Sequence, residues 1–293
     1  MASTLAVLVH YDPNGEVAHH VRFALQQLRG AADRLVFVST AGLTAAGRGS
    51  LGLADDVIER PNSGYDFMSW RTGLRAVADW WAYDRVILAN DSVVGPLRPV
   101  ADLVARQDAV GADAFGITVS PQYVTHLQSY FMSFRQPLVS QAYFRAFWEA
   151  MPSLDDRERV IDEYELGLAR LLGDMGAGLG AFFVPSAAER RLGSSRSLRT
   201  FATRRPLAAG AYGLVRPAGA AEHDPRRGAF SPVHMLWDRA LTGALPAVKV
   251  AHFTRPTRTP DQLRGDLRRL ARAHPQAFEG FAEYVRRVGG PRL

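Results

Sequence analysis

The sequence predicts an α/β protein built on an open, mostly parallel twisted sheet flanked by helices, with a helical C-terminal region. Three observations predict it. Short apolar runs alternate with segments whose apolar residues recur at helical spacing. The runs are apolar almost throughout, as in strands buried on both faces. Each run ends in polar residues, at the place where open α/β sheets hold their ligands.

In chain order, Leu5 to Val9 reads as a first buried strand. "NGEVAHHVRFALQQLRG", Asn14 to Gly30, reads as a helix closed by glycine. Arg34 to Thr40 is a second strand, and "DDVIERPNSG" holds a short third. Asp66 to Asp84 carries apolar and aromatic residues on one helical side, and the strand Arg85 to Ala89 follows. Ala114 to Ser120 is another strand, and His126 to Val139 is a strand leading into a helix. Ser140 to Met151 is helical, and Asp155 to Gly176 is one long amphipathic helix or a pair, started by Asp and ended by Gly. "GAFFVPS" is one more strand, and residues 186 to 230, rich in Arg, Ser, Gly and Pro, read as loop. Ser231 to Gly243 is a short helix, and the chain from Thr259 is one polar, Arg-rich helix or two. The pairs Trp80-Trp81 and Phe182-Phe183 are expected in the core.

The chain has 293 residues, 47% of them hydrophobic, which is enough for a sizeable core. No apolar run approaches the roughly 20 residues that span a bilayer, and the N-terminal apolar segment reads as a strand rather than a signal peptide. There is no cysteine, which excludes thiol catalysis, disulfides and thiolate metal sites. A cytoplasmic protein is expected. The formal charge is +6, carried almost wholly by Arg; Lys249 is the sole lysine. Arginines cluster late, at Arg190, Arg191, Arg196 and Arg199, at Arg204 and Arg205, and from Arg264 to Arg272. A solvated surface accounts for them; so does peripheral contact with an anionic partner, either the inner membrane face or a polyanionic substrate. Nucleic acid is not expected, because the clusters lack interleaved aromatics and no recognition motif is present.

No GxGxxG follows the first strand, and GxxxxGK[ST], GxSxG and HExxH are absent. What remains is a crevice at the strand ends His10 to Asp12, Ser39-Thr40, Glu59 to Asp66 and Asn90 to Ser92. A nucleotide-sugar site needs little more. The diphosphate of its donor calls for a divalent cation or fixed positive groups. One carboxylate must take the proton of an acceptor hydroxyl.

"RPNSGYDFMSWRTGL", Arg60 to Leu74, resembles the Asn-x-Gly…Arg-Asn-x-Gly segment of family-2-type glycosyltransferases. There an apolar strand, an Asp-x-Asp metal motif and a proline follow. Here Asp91 falls on the last position of that motif and Pro96 keeps the spacing, whereas Ala89 stands at the first Asp. Four stretches are closer to the rhamnan synthesis protein F family of bacterial polysaccharide glycosyltransferases. They are "NSGYDFMSW" (Asn62 to Trp70), "LANDSVVGPL" (Leu88 to Leu97), "HLQSYFMSFR" (His126 to Arg135) and "SPVHMLWDRAL" (Ser231 to Leu241), the last followed by "PAVKV". The resemblance implies a GT-A-like fold, a nucleoside-diphosphate sugar donor and a bacterial cell-surface polysaccharide or lipid-linked glycan acceptor, with rhamnose as one sugar of such glycans. It implies one catalytic domain over residues 1–255, with a nucleotide-binding half near 1–115 and an acceptor half near 116–255, and a helical tail over 256–293.

The expected roles follow, each beside its plainer alternative. Asp91 caps a turn after a strand, or holds Mg²⁺ or Mn²⁺ on the diphosphate together with His234; His234 as a half-buried structural histidine is the alternative. Asp66 caps a helix, or joins Asn62, Gly64 and Arg71 on the nucleotide, with His10, Tyr11, Ser39, Asn90 and Ser92 completing the donor side. "IDEYELGLARL" resembles the Glu-Asp-x-x-Leu-x-x-Arg segment whose second acid is the base, which implies Glu163 with Asp162 and Glu165 as neighbours. Asp162 and Glu165 share a helical face and Glu163 points about 100° from Asp162, while carboxylates also favour a helix start for its dipole alone. His126, Gln128 and Ser129 are acceptor-side candidates or a polar strand edge. Lys249 and His252 are weaker candidates for phosphate contact. The expected reaction is inverting sugar transfer; another nucleotide-dependent transferase and a non-catalytic glycan-binding relative remain as alternatives.

Overall fold

The computed structural model describes residues 2–121, 123–204, 230–255 and 258–293. Its centre is a seven-stranded sheet in the order β10-β6-β9-β4-β1-β2-β3. The strands are β1 (Thr4–His10), β2 (Arg34–Ser39), β3 (Asp56–Glu59), β4 (Arg85–Asn90), β6 (Ala114–Gly116), β9 (Phe131–Arg135) and β10 (Leu179–Ala181). β3, β2, β1 and β4 run parallel, as do β6 and β10. β9 lies antiparallel between β4 and β6. The α/β class, with its open and mostly parallel sheet, agrees with the sequence.

Period-two alternation sends the apolar strands to two faces. Ala6, Leu8, Phe37 and Ile87 pack under α1 (His19–Arg29) and α4 (Val100–Val110). Val7, Val9, Val36 and Leu88 pack under α3 (Tyr65–Arg75), α5 (Ala142–Ala150) and α7 (Leu166–Asp174). Gly73 lets α3 lie close on the sheet: a Cβ there would stand 2.5 Å from Val7 Cγ1.

Several elements differ from the expectation. The helix expected from Asn14 begins at His19, because the chain first turns at Gly15 (φ +68°), whose N–H donates to the Asp12 carbonyl. The helix expected to reach Asp84 ends at Arg75, with one 3₁₀ turn at Trp80–Ala82. Ala114 to Ser120 breaks into β6 and β7 (Val119–Ser120), the latter paired with β8 (His126–Leu127). The long helix after Asp155 is continuous but uneven: α6 (Arg157–Val160) widens into a π-helical stretch at Ile161–Glu165 before α7. Residues 187–204, expected as loop, form the helix α8 (Ala187–Arg204). Its start is a capping box in which Ser186 Oγ accepts the Glu189 N–H and Glu189 accepts the Ser186 N–H. The rest of that expected loop, including Arg205, lies outside the described residues.

β5 (Val93–Val94) pairs antiparallel with β11 (Val248–Lys249), tying the segment after β4 to the late chain. The C-terminal region forms two helices, Pro260–Ala273 and Phe281–Arg287. Their Leu263, Leu270, Phe281 and Val285 share a core with Val94, Trp237 and Phe253. Trp80 and Phe183 are buried; Trp81 and Phe182 are half-buried at the core's edge. Among the described residues no helix is long and apolar enough to cross a membrane.

Candidate functional site

β4 ends at Asn90 beside the carboxyl end of β1. Its final side chains hold three loops together. Asn90 Nδ2 donates to Asp66 Oδ2 at 2.8 Å, and Asn90 Oδ1 accepts from both the N–H and the hydroxyl of Ser92. Asp91 Oδ2 accepts the Tyr11 N–H at 2.8 Å. Pairing of β11 with β5 sets Lys249 opposite Val93, where its Nζ donates to Ser92 Oγ at 2.9 Å and lies 5.2 Å from the centre of the Tyr130 ring.

These groups open onto a cavity of about 400 Å³. Asp66, Asn90, Ser92 and Lys249 line one side. Glu165, at the end of the π-helical stretch, also lines the cavity, its Oε1 accepting the Ser129 N–H at 3.3 Å. His126, Gln128, Ser129 and Tyr130 come from β8 and the residues leading to β9, and Ser231 and His234 from the late chain. Burial, reinforced by the Asp91 charge, pushes the Asp66 carboxyl up to about 6. Burial likewise raises Asp91 to about 6, against the pull of the Tyr11 N–H. Burial lowers the Lys249 ammonium, and the charges of Asp66, Glu165 and Asp91 oppose that lowering. One ammonium thus sits within the field of three carboxylates.

Of the residues singled out from sequence, the structure brings Asp66, Asn90, Ser92, His126, Gln128, Ser129, Glu165 and His234 to this cavity. It does not bring Glu163, which points outward and pairs with Arg159 at 2.8 Å. Asp162 is exposed and pairs with Arg170 at 2.7 Å. The physical reason is the π-helical stretch: its wider turn breaks the i,i+3 register that set Asp162 and Glu165 on one face. His10 is buried, its two ring nitrogens engaged by Ser39 Oγ and the Glu16 carbonyl, its ring 5.4 Å from Phe37, and burial lowers it to about 4. His10 and Ser39 therefore brace the strand ends rather than face the cavity. Tyr11 and Asn62 are exposed. Gly64 caps α3 at φ +68°, and Arg71 donates to the Glu149 carbonyl. Asp91 is not among the residues that line the cavity. His252 is buried against Asp266 and Trp237.

Sequence reasoning underweighted Lys249 and did not name Tyr130 or Arg157, which also line the cavity. A signal for Lys249 was present: it is the sole lysine in a chain that otherwise places Arg at every cationic position.

The side chains expected to hold a divalent ion are partly engaged with one another. Mg²⁺ and Mn²⁺ take about six hard oxygen ligands. Here Asp91 Oδ2 is taken by the Tyr11 N–H, Asn90 Oδ1 by Ser92, and Ser92 Oγ by the Lys249 ammonium. His234 faces the cavity with its ring 6.2 Å from that of His252. Among the described residues no three metal-ligating side chains cluster.

The family model described as rhamnan synthesis protein F matches residues 35–202 of the chain. An uncharacterized protein, y4gN of Sinorhizobium fredii, is 29% identical over 191 residues, covering 63% of this chain and 50% of that protein. Virulence protein VirA of Vibrio anguillarum is 34% identical over 119 residues, covering 39% of this chain and 38% of that protein. The chain therefore spans half or less of the length of these curated relatives. Among solved structures, a putative nucleotide-diphospho-sugar transferase from Desulfovibrio desulfuricans aligns at TM-score 0.38 and 15% identity, over 62% of this chain and 80% of that one. A mannosyltransferase from Pyrobaculum calidifontis, solved with GDP-Man and Mn²⁺, aligns at TM-score 0.38 and 12% identity, over 97% and 84%.

Proposed function

The chain belongs to the rhamnan synthesis protein F family, and we propose that it is an inverting glycosyltransferase of GT-A-like fold. It moves a sugar from a nucleoside diphosphate to a hydroxyl of a bacterial cell-surface or lipid-linked glycan. Rhamnose is the sugar that the family's description favours. The observation that carries the reading is a carboxylate, Glu165, lining one cavity with Asp66 and Lys249 at the carboxyl end of β4.

In this reading Glu165, not Glu163, is the general base. Its Oε1 is fixed by the Ser129 N–H, so the carboxylate is oriented before substrate arrives, and its second oxygen takes the acceptor proton. The acceptor oxygen attacks the anomeric carbon, the bond from that carbon to the diphosphate oxygen breaks, and its electron pair leaves with the nucleoside diphosphate. A single displacement inverts the centre and needs no covalent intermediate. Asp66 and Asn90, bonded to each other, meet the donor sugar, while His126 and Gln128 line the acceptor side.

The test is transfer or donor hydrolysis with a panel of UDP-, dTDP- and GDP-sugars. A positioned base contributes about 10²–10⁴-fold, so Glu165→Gln is expected to lower turnover by at least about 100-fold. Glu163→Gln is expected to stay within about threefold of the parent, because breaking an exposed i,i+4 ion pair is worth only a few tenths of a kcal/mol. The opposite ranking would return the base to Glu163. Absence of turnover with every donor, in a folded protein, would favour a glycan-binding role.

A further inference from the structure

Resting on that reading, we infer that Lys249 supplies the positive charge that holds the donor's diphosphate, and that donor binding is independent of a divalent ion. Three observations carry the inference. Three of the oxygens that could ligate an ion, Asp91 Oδ2, Asn90 Oδ1 and Ser92 Oγ, already accept hydrogen bonds, and Ser92 Oγ accepts from Lys249 itself. Strand pairing of β5 with β11 fixes Lys249 across from Val93, two residues beyond Asp91, so the ammonium is held beside the segment that carries the Asp-x-Asp position. A divalent ion placed beside it would meet a like charge in a partly desolvated wall, at a cost that steepens as the local dielectric falls.

The residue type fits the task. An ammonium is a compact point charge with three donors that rotate on a flexible stem, and it binds phosphate as such; a guanidinium is a planar fork suited to fixed bidentate partners. In a chain of otherwise Arg-only cations, the lysine occurs in the wall of the cavity. The charges of Asp66, Glu165 and Asp91 favour the ammonium form against the effect of burial. Arg157 also lines the cavity, and a cation there adds to the charge that opposes the departing diphosphate.

The experiment uses the full chain and three nucleoside diphosphates, UDP, dTDP and GDP. Binding is read by thermal shift and calorimetry, once in EDTA and once in Mn²⁺, with the cognate nucleoside as a probe lacking phosphate. One diphosphate is expected to bind equally in EDTA and in Mn²⁺. Lys249→Met is expected to weaken it about tenfold to hundredfold, the range of one hydrogen bond to a charged group, and to leave nucleoside binding unchanged. Lys249→Arg is expected to retain part of the affinity. Unchanged nucleoside binding also shows that Lys249→Met is folded. Binding that requires Mn²⁺, or that is unaffected in Lys249→Met, overturns the inference and leaves the glycosyltransferase reading standing. No binding of any nucleotide to the parent under either condition overturns both.

Discussion

Asp66 shows how a residue can be chosen for the site against the interest of the fold. Its carboxyl is raised from 3.8 to about 6, first by burial and then by Asp91. The sign follows from proton binding. Between those values the folded state holds more protons than the unfolded one, so the stability contributed by Asp66 is fully present below 3.8, is lost as pH rises through 6, and is flat above. About two units correspond to roughly 3 kcal/mol, and solvent at the cavity mouth reduces this to about 1–2 kcal/mol. Asp66→Asn keeps an oxygen to accept from Asn90 Nδ2 and removes the charge. It is therefore expected to be more stable than the parent by about 1–2 kcal/mol at pH 7, with the difference vanishing near pH 4 and donor affinity reduced. Denaturant midpoints of both proteins from pH 4 to 8 check this; a constant difference across that range would refute the titration argument. Sequence alone offered Asp66 as a nucleotide contact or a helix cap. The hydrogen bond to Asn90 across 24 residues of chain is a product of topology and has no local signature.

At the scale of elements, α3 is held against β1 and β2 by a single missing methyl. A Cβ at Gly73 would lie 2.5 Å from Val7 Cγ1 and 3.1 Å from Val38 Cγ2, and valine side chains have little rotamer freedom to yield. Alanine would gain up to about 1 kcal/mol of helix propensity but overpack the interface by about 1–3 kcal/mol. Gly73→Ala is thus expected to lower stability by about 1–2 kcal/mol, and Gly73→Val by more, both read from the midpoint of urea unfolding at unchanged slope. The elements legible in the sequence were those whose pattern matches their burial. β1, β2 and β4 are apolar throughout because both of their faces are covered. The direction of β9 was not legible, since an apolar run carries no mark of parallel or antiparallel pairing. α8 was hidden by its Arg- and Ser-rich composition, although the Ser186-x-x-Glu189 box marked its start. The site was half legible for the same reason: strand ends declare themselves, whereas the π-helical stretch that turns Glu165 inward and Glu163 outward leaves no pattern that periodicity can detect.

At the scale of the molecule, the chain's last helices are part of the structure that carries the site. The sequence suggested a polar tail after residue 255, and its arginines do lie at the surface. Yet Arg264 pairs with Asp261, Arg269 with Asp266 and Arg196 with Asp238, so much of this charge is met within the protein. Beneath it, Leu263, Leu267, Leu270, Phe278, Phe281 and Val285 are buried against Val94, Trp237 and Phe253. Burying such side chains is worth about 1.5–3 kcal/mol each, so these six together contribute on the order of 10 kcal/mol. Whole domains are stable by only about 5–15 kcal/mol. Arg287 adds an ion pair at 2.8 Å to the buried Asp12, just beyond the end of β1, and losing that partner would leave a buried carboxylate without its counter-charge. Deleting residues 259–293 is therefore expected to abolish the cooperative thermal transition seen in the parent chain. Arg287→Ala alone is expected to lower stability by about 2–3 kcal/mol while the transition stays cooperative. Circular dichroism melts of the three proteins distinguish the cases. A truncated chain that melts as the parent does would make these helices an appendage, and would mean that the core around Val94 and Phe253 closes without them.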